Sequence, residues 1–231
     1  MAFSRQKIRI SRNQFERELW AKEALAAGID EVGRGCLAGP VVAAAVIIPK
    51  PIKRPFLRDS KVLSEKIRED EFAWIIRNCW FGVGIVHHRA IDRYNIYHAS
   101  KIAMKRALMA LFANYSGTKP IQAILIDAMP MDLSGTAYQA IPVHHYPKGE
   151  EWSQSIAAAS IVAKVTRDRM MERMDLVFPG YKLGMHKGYC TKEHQDAVKE
   201  ENHSIIHRMT FLNNPHYGPQ KDEFDEQSCL F

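Results

Sequence analysis

The chain has 231 residues, of which 46% are hydrophobic and 25% charged, and its formal net charge is +6. This composition excludes a largely disordered protein, and no apolar run reaches the roughly 18 residues that a membrane-spanning helix needs. The basic balance favours a polyanionic partner, although charge alone does not identify one.

Strand-like and helix-like segments alternate along the chain, which predicts an α/β fold. Residues 26–32 and 41–48 predict two strands, and the glycine-rich connection between them is too short for a crossover helix, so they should be antiparallel neighbours. Further strands are predicted over 81–86, 121–126 and 141–146. Helices are predicted after Ser64, over 92–114, over 155–174 and from near Thr191.

The two ends of the chain carry no clear element. The N-terminal segment is basic but lacks the apolar core of a signal peptide, so we expect a cytoplasmic protein. Beyond Asn213 the patterning fades, and we expect a flexible tail over 214–231. The four cysteines are scattered, which predicts free thiols in a reducing compartment.

Three acidic residues stand at strand ends. Asp30 and Glu31 close the first predicted strand and point to opposite faces, while Asp127 follows an apolar strand. Such acids supply the hard oxygen ligands of two-metal phosphoryl-transfer sites. The alternative is a turn-capping Asp30 beside a solvated Glu31. The neighbouring GRG sequence favours the metal site, because glycine lets backbone approach a ligand and arginine suits phosphate.

Other catalytic motifs are missing from the sequence. It contains no G-x-S-x-G, P-loop or G-x-G-x-x-G motif, which argues against hydrolase-elbow, NTPase and dinucleotide-binding functions. The pairs His87–His88 and His144–His145 lack the spacing of zinc ligands, and we interpret them as surface or strand-edge histidines.

Six segments, in order, resemble the motifs of the bacterial ribonuclease HII family. They are GIDEVGRGCLAGPVVAAAVI (28–47), DSKVLSEKIRE (59–69), ILIDA (124–128), SIAAASIVAKVTRDRMM (155–171), HKGYCTKEH (186–194) and IHRMTF (206–211). The resemblance covers roughly residues 25–212. It implies a ribonuclease H-like fold, with a mixed five-stranded sheet flanked by helices and a C-terminal helical extension. Residues 1–213 would then be a single catalytic domain.

The resemblance also implies a reaction. Family members hydrolyse RNA in RNA–DNA hybrids and cut on the 5′ side of ribonucleotides embedded in duplex DNA, leaving a 3′-hydroxyl and a 5′-phosphate. They require Mg²⁺ or Mn²⁺. One cation would activate water and the other would stabilise the leaving 3′-oxygen.

Four carboxylates hold the metals in the family, and three carry over onto Asp30, Glu31 and Asp127. The fourth is usually the Asp of a Lys-Gly-Asp triplet, which here reads Lys148-Gly149-Glu150. Glu150 is therefore the expected fourth catalytic and metal-binding residue, with Glu151 as the alternative. Asp168 lies four residues after Lys164, and we expect it to form ion pairs instead.

Substrate contacts are implied by the same resemblance. The backbone of Gly33, Arg34 and Gly35 and the side chain of Tyr189 would recognise the ribose 2′-hydroxyl, which is the group that separates RNA from DNA. A second set would bind backbone phosphates without reading sequence. That set is Ser60, Lys61, Ser160 and Lys164.

The last five residues, QSCLF, resemble the short peptide with which bacterial proteins bind the sliding clamp. We expect Gln227, Leu230 and Phe231 to be the clamp-binding residues, with Leu230 and Phe231 entering an apolar pocket. The sequence contains no long apolar seam of the kind that predicts an obligate dimer, so we expect a monomer.

Three other interpretations stay open at this stage. Ribonuclease HIII shares the catalytic core but carries an extra N-terminal domain, which the residues before the first strand are too few to form. A catalytically weak hybrid-binding or clamp-associated protein would show no metal-dependent turnover, with Glu150 marking decay of the site. A generic basic nucleic-acid-binding domain would show salt-sensitive affinity without cleavage or 2′-hydroxyl preference.

Overall fold

The computed structural model describes residues 13–54, 57, 60 and 63–213. Its centre is a five-stranded sheet with the strand order β3-β2-β1-β4-β5. Strands β1 to β3 are antiparallel neighbours, whereas β4 runs parallel to both β1 and β5, so the sheet is mixed as predicted. The strands are β1 (Leu25–Val32), β2 (Val41–Ile47), β3 (Trp80–Val86), β4 (Ile121–Asp127) and β5 (Val143–Tyr146).

Helices flank this sheet and form the C-terminal extension. They are α1 (Gln14–Ala21), α2 (Glu65–Asn78), α3 (His88–Asn114), α4 (Gly149–Trp152), α5 (Gln154–Asp175), α6 (Leu183–His186), α7 (Lys192–Glu201) and α8 (Met209–Leu212). The extension comprises α6 to α8 together with a 3₁₀ turn at Pro179–Tyr181. Within the described ranges, no helix combines the length and apolar character that crossing a membrane requires.

Several local predictions are confirmed. Ser64 caps α2 by accepting a hydrogen bond from the Ile67 amide, and Thr191 caps α7 by accepting one from His194. Each hydroxyl satisfies a backbone N–H that the first helical turn leaves without a partner. The cysteines of the described segments have free thiols, as expected.

Other boundaries were wrong. Helix α3 begins at His88 instead of residue 92, because His87 caps it by accepting from the Ala90 amide. Asn95 then adopts φ 61° and ψ 168°, and this kink separates the apolar stripe from the first turns. Strand β5 begins at Val143, and α1 had no sequence prediction at all.

The small residues of α5 explain how this helix comes so close to the sheet. A Cβ atom on Gly28 of β1 would lie 2.1 Å from the carbonyl carbon of Ser155. Residues 157–163 of α5 are fully or almost fully buried, as the run of small side chains predicts. This close packing brings Ser160 of α5 next to Asp30 at the end of β1.

Candidate active site

The acidic residues meet where β1 and β4 end. The two strands are parallel and Ile29 pairs with Ile126, so Asp30 and Asp127 occupy the next positions along neighbouring strands. The Asp30 residue is 9% exposed, and the Glu31 side chain is also 9% exposed. The fold thus brings together three of the four predicted carboxylates in a largely buried setting.

The charges of these acids repel one another. Burial raises the pKa of Asp30 well above its usual range, and the charges of Glu31 and Asp127 add to the rise. Burial also raises the pKa of Glu31, although Arg34 opposes the shift from 3.3 Å. An excess of buried negative charge favours either protonation or a bound cation.

A chain of hydroxyl groups leads from Asp30 into the protein. Asp30 Oδ1 accepts from the Glu31 amide at 2.7 Å, and the carboxylate also bonds the Ser160 hydroxyl. The Ser160 and Ser60 hydroxyl oxygens are 2.8 Å apart. An ionised Asp30 can only accept, so Ser160 donates to it and Ser60 donates to Ser160. Both serines are buried beside Asp30, and their expected contact with substrate phosphates stays a prediction.

A tight turn at Lys148 and Gly149 brings the start of α4 next to Asp127. The Gly149 amide donates to Asp127 Oδ1 at 2.8 Å, and Lys148 adopts φ 59°. A Cβ atom on Gly149 would lie 2.6 Å from Ile156 Cδ1, so glycine allows this approach. Glu150 follows in the first turn of α4 and is half-buried, while the Glu151 side chain is 55% exposed and lies 3.7 Å from Lys148 Nζ.

The donor set suits a hard divalent cation. Its members are carboxylates with an excess of buried negative charge, which is what Mg²⁺ and Mn²⁺ bind. In the described part of the chain, no three His, Cys, Asp or Glu side chains are already arranged to hold a metal ion. Glu31 instead contacts Arg34, and Asp127 accepts from Gly149. A cation would therefore compete with these protein contacts.

A buried arginine, Arg208, holds the GRG loop between β1 and β2 through hydrogen bonds to its backbone. Arg208 has no exposed surface and donates to the carbonyl oxygens of Gly33 at 2.6 Å, Arg34 at 2.7 Å and Gly39 at 3.0 Å. Burial lowers its pKa to about 10, so it remains charged at neutral pH. The guanidinium thus fixes the orientation of three loop peptides.

A second buried arginine extends this support. Arg167 of α5 donates hydrogen bonds to the backbone carbonyl oxygens of Ala38 and Pro40 in the loop. It also donates to the carbonyl oxygen of Lys187 at 2.7 Å. Gly33 adopts φ +90°, and a Cβ atom there would lie 2.2 Å from Arg167 Nε. Sequence reasoning missed Arg167 and Arg208 because nothing in a single sequence distinguishes a buried arginine from a solvated one.

Tyr189 joins the same loop. It forms an isolated β-bridge with Cys36, and its ring centroid lies 5.3 Å from Lys164 Nζ. Burial raises the pKa of its hydroxyl well above the usual range, so this group stays protonated. Lys164 also pairs with Asp168 at 2.9 Å, which confirms the prediction that Asp168 forms an ion pair.

Some predicted residues cannot be placed. Lys61, the tail over 214–231 and its clamp-binding residues Gln227, Leu230 and Phe231 lie outside the described residues. The predicted residues that the structure does describe fall into two groups around the end of β1. The carboxylates and serines form one, and the GRG loop, Lys164 and Tyr189 form the other.

The chain resembles known proteins over most of its length. Residues 27–214 match the sequence profile of the family described as Ribonuclease HII. The chain is 44% identical to the Ribonuclease HII of Alkaliphilus metalliredigens over 206 residues, which cover 88% of this chain and 98% of that protein.

Solved structures show the same fold. The ribonuclease H2 from Pyrococcus horikoshii superposes with a TM-score of 0.64 at 28% identity, over 80% of this chain and 93% of that one. The RNase HII of Archaeoglobus fulgidus, solved as a complex with PCNA, gives 0.68 at 24% identity, over 88% and 99%. The chain therefore belongs to the ribonuclease HII family and is an endoribonuclease of the type 2 ribonuclease H class.

Proposed function

We propose that this enzyme hydrolyses the RNA strand of RNA–DNA hybrids and cuts on the 5′ side of ribonucleotides embedded in duplex DNA. The observation that carries the proposal is the crowding of Asp30, Glu31 and Asp127 directly beside the GRG loop. A nuclease that selects ribose needs a phosphate-activating centre next to a group that reads the 2′-hydroxyl. At the end of β1, the three carboxylates would serve as the first and the GRG loop as the second.

Asp30, Glu31, Asp127 and Glu150 would hold the metal, either Mg²⁺ or Mn²⁺. Two such cations, when bound, would supply Lewis-acid activation of water and neutralise charge at the leaving 3′-oxygen. The carboxylates provide the charge that attracts the cations, and Ser160 holds Asp30 in orientation. Arg34 pairs with Glu31 and would have to release it to a cation.

The GRG loop is suited to reading a hydroxyl through its backbone. In a trans peptide the N–H points opposite to the C=O. The carbonyls of Gly33 and Arg34 point towards the buried Arg208, so the amides of Arg34 and Gly35 point away from it. They would donate to a 2′-hydroxyl, and Tyr189 would contact the same sugar. Deoxyribose offers these donors no acceptor.

Phosphate contacts complete the proposed substrate site. The ammonium group of Lys164 lies over the face of the Tyr189 ring and would contact a backbone phosphate there. Lys61 would add a second cation, and Ser60 and Ser160 would act from beside Asp30. These donors position the duplex without reading its sequence.

Mapping the products of a labelled duplex with one ribonucleotide tests the proposal. With Mg²⁺ or Mn²⁺ we expect one nick on the 5′ side of the ribonucleotide, with a 3′-hydroxyl and a 5′-phosphate, and no nick with EDTA. Cleavage on the 3′ side, or a 2′,3′-cyclic phosphate end, would contradict it. Binding of hybrid without any turnover would instead favour the catalytically weak binding protein.

The role of Glu150 can be separated from that of its neighbour. We expect Glu150→Gln to lower kcat by about 10- to 100-fold, since it removes one metal-binding charge worth on the order of 1–3 kcal/mol. Glu151→Gln is the matched control, because Glu151 lies in the same turn but is exposed, and it should change kcat less than about three-fold. A larger loss in Glu151→Gln than in Glu150→Gln would assign the fourth ligand to Glu151.

We also propose that the C-terminal tail binds the bacterial sliding clamp, and that the enzyme works in the cytoplasm as a monomer. The support is the sequence itself, with Gln227, Leu230 and Phe231 at an acidic C-terminus. Deleting residues 227–231 should abolish capture by immobilised clamp and leave cleavage rates unchanged. Undiminished capture of the truncated enzyme would contradict clamp binding through the tail.

A further inference from the structure

Three histidines of the C-terminal extension form a cluster that the proposed reaction does not use. His194 has no exposed surface and His207 is 2% exposed, while His186 is partly buried. The rings of His186 and His194 stack with centroids 4.3 Å apart and planes at 19°. The Nε2 atoms of His194 and His207 are 3.1 Å apart. This cluster lies directly behind Tyr189.

The hydrogen bonds of His194 and His207 fix the tautomer of each ring. His194 Nδ1 lies 2.9 Å from the Tyr189 carbonyl oxygen, which can only accept, so Nδ1 carries a proton. His207 Nδ1 accepts from the Ser204 amide at 3.0 Å, so the proton of a neutral His207 is on Nε2. His207 Nε2 therefore donates to His194 Nε2.

His186 holds Gly188, the residue before Tyr189. Its Nε2 lies 2.8 Å from the Tyr181 carbonyl and must donate, so its Nδ1 accepts from the Gly188 amide at 3.2 Å. The Gly188 carbonyl in turn accepts from the Leu37 amide at 2.9 Å, within the connection that carries the GRG sequence. Donors and acceptors are thus matched from Ser204 to Tyr189 when all three rings are neutral.

The surroundings keep these rings neutral. Burial lowers the pKa of His194 to about 3 and that of His207 to about 4, and it also lowers the pKa of His186. Charge on one ring would also oppose protonation of its neighbours, since the histidines face one another and His88 and His203 face His207. Glu193 and Asp175 oppose the shift only at His186. His194 and His207 therefore stay uncharged across the neutral pH range, and burial shifts the pKa of His186 in the same direction.

We propose that His194 and His207 are positioning residues, which act through the Tyr189 peptide to hold the Tyr189 ring against the sugar at the cleavage site. The inference rests on the proposed role of Tyr189 in recognising ribose. The backbone of His207 forms an isolated β-bridge with Ala38, next to the bridge between Cys36 and Tyr189. The extension thus aligns both parts of the ribose-reading site at once.

The hydrogen-bond relay can be tested without activity. Long-range ¹H–¹⁵N spectra of the histidine rings at pH 7 should show His194 protonated on Nδ1 and His207 protonated on Nε2. The opposite tautomer at either ring, or a charged ring, would overturn the relay.

The functional role is tested with a pair of variants at His207. Gln places an N–H₂ donor close to the position of His Nε2, whereas Leu removes it. We expect His207→Leu to lower kcat/KM on a single-ribonucleotide duplex about ten-fold, and His207→Gln to retain activity within about three-fold, as for one lost buried hydrogen bond. His203→Leu is the control, because His203 is exposed in the same loop, and it should leave kcat/KM unchanged.

A double-mutant cycle separates positioning from a general loss of structure. In a Tyr189→Ala background, His207→Leu should lower kcat/KM less than two-fold further, because the group that it positions is gone. A full ten-fold loss in that background, or equal losses with Gln and Leu, would overturn the inference. Failure of the proposed function has a different signature, because the wild-type enzyme would then fail to cut or Tyr189→Ala would cut at the wild-type rate.

Discussion

Replacing Asp30 by asparagine is expected to lower metal-dependent cleavage at least about 1,000-fold and, without metal, to raise the unfolding temperature by several degrees. The loss follows because the charge of Asp30 would contribute several kcal/mol through a bound cation, at about 1.4 kcal/mol per factor of ten. The gain follows because Asp30 is buried beside Glu31 and Asp127, so its charge opposes folding when no cation compensates it.

The pH dependence of this gain has a definite sign. The raised pKa of Asp30 means that the folded state holds its proton more tightly than the unfolded state does, whose pKa is near 3.8. The penalty is therefore greatest at neutral pH and disappears as the pH falls towards the unfolded value. The difference in unfolding temperature between wild type and Asp30→Asn should therefore decrease as the pH falls.

Thermal melts in EDTA and in Mg²⁺, together with cleavage rates, measure both effects. Mg²⁺ should raise the unfolding temperature of the wild type more than that of Asp30→Asn, since binding to the folded state stabilises it. Asp196→Asn is a suitable control because the Asp196 side chain is 47% exposed. An Asp30→Asn variant that is less stable than the wild type in EDTA would contradict the electrostatic account of this site.

Replacing Arg208 by methionine is expected to lower the free energy of unfolding by about 3–5 kcal/mol. The substitution relieves the burial of a charge, but it leaves the carbonyls of Gly33, Arg34 and Gly39 without their donor. Each orphaned buried carbonyl costs about 1–3 kcal/mol, so the loss outweighs the relief. Arg208→Lys should recover only part of it, because an ammonium cannot reproduce the planar fork.

Urea unfolding of these variants gives the measurement. Arg173→Met is the matched control, because Arg173 lies exposed in the last turn of α5. It should change the unfolding free energy by less than about 0.5 kcal/mol. If Arg208→Met were as stable as Arg173→Met, the guanidinium would not be what holds the GRG loop.

Much of the fold could be predicted because local signals and tertiary structure agree. Apolar runs that lead directly into acids marked the last residues of β1 and β4. The short connection between β1 and β2 required antiparallel pairing, and the small residues of α5 predicted close contact with the sheet. In each case the residues of one short segment are enough to determine the structural feature that was predicted.

The parts that escaped prediction depend on contacts between distant segments. Arg208 donates to carbonyls about 170 positions earlier in the chain, and His207 reaches Tyr189 only through His194. A sequence gives the residue types but not which backbone oxygens face them. The start of α3 was missed for a smaller reason, since His87 caps the helix through its ring nitrogen, and histidine is not a common capping residue.

The most direct test of the account compares two duplexes that differ by a single oxygen atom. One carries a ribonucleotide at a central position and the other carries the matching deoxyribonucleotide, and both are incubated with wild-type enzyme or Asp30→Asn in Mg²⁺ or Mn²⁺. We predict rapid cleavage of the ribonucleotide duplex by the wild type alone, and no cleavage of the DNA duplex by either protein. Equal cleavage of both duplexes, or undiminished cleavage by Asp30→Asn, would contradict a ribose-reading, carboxylate-held metal centre.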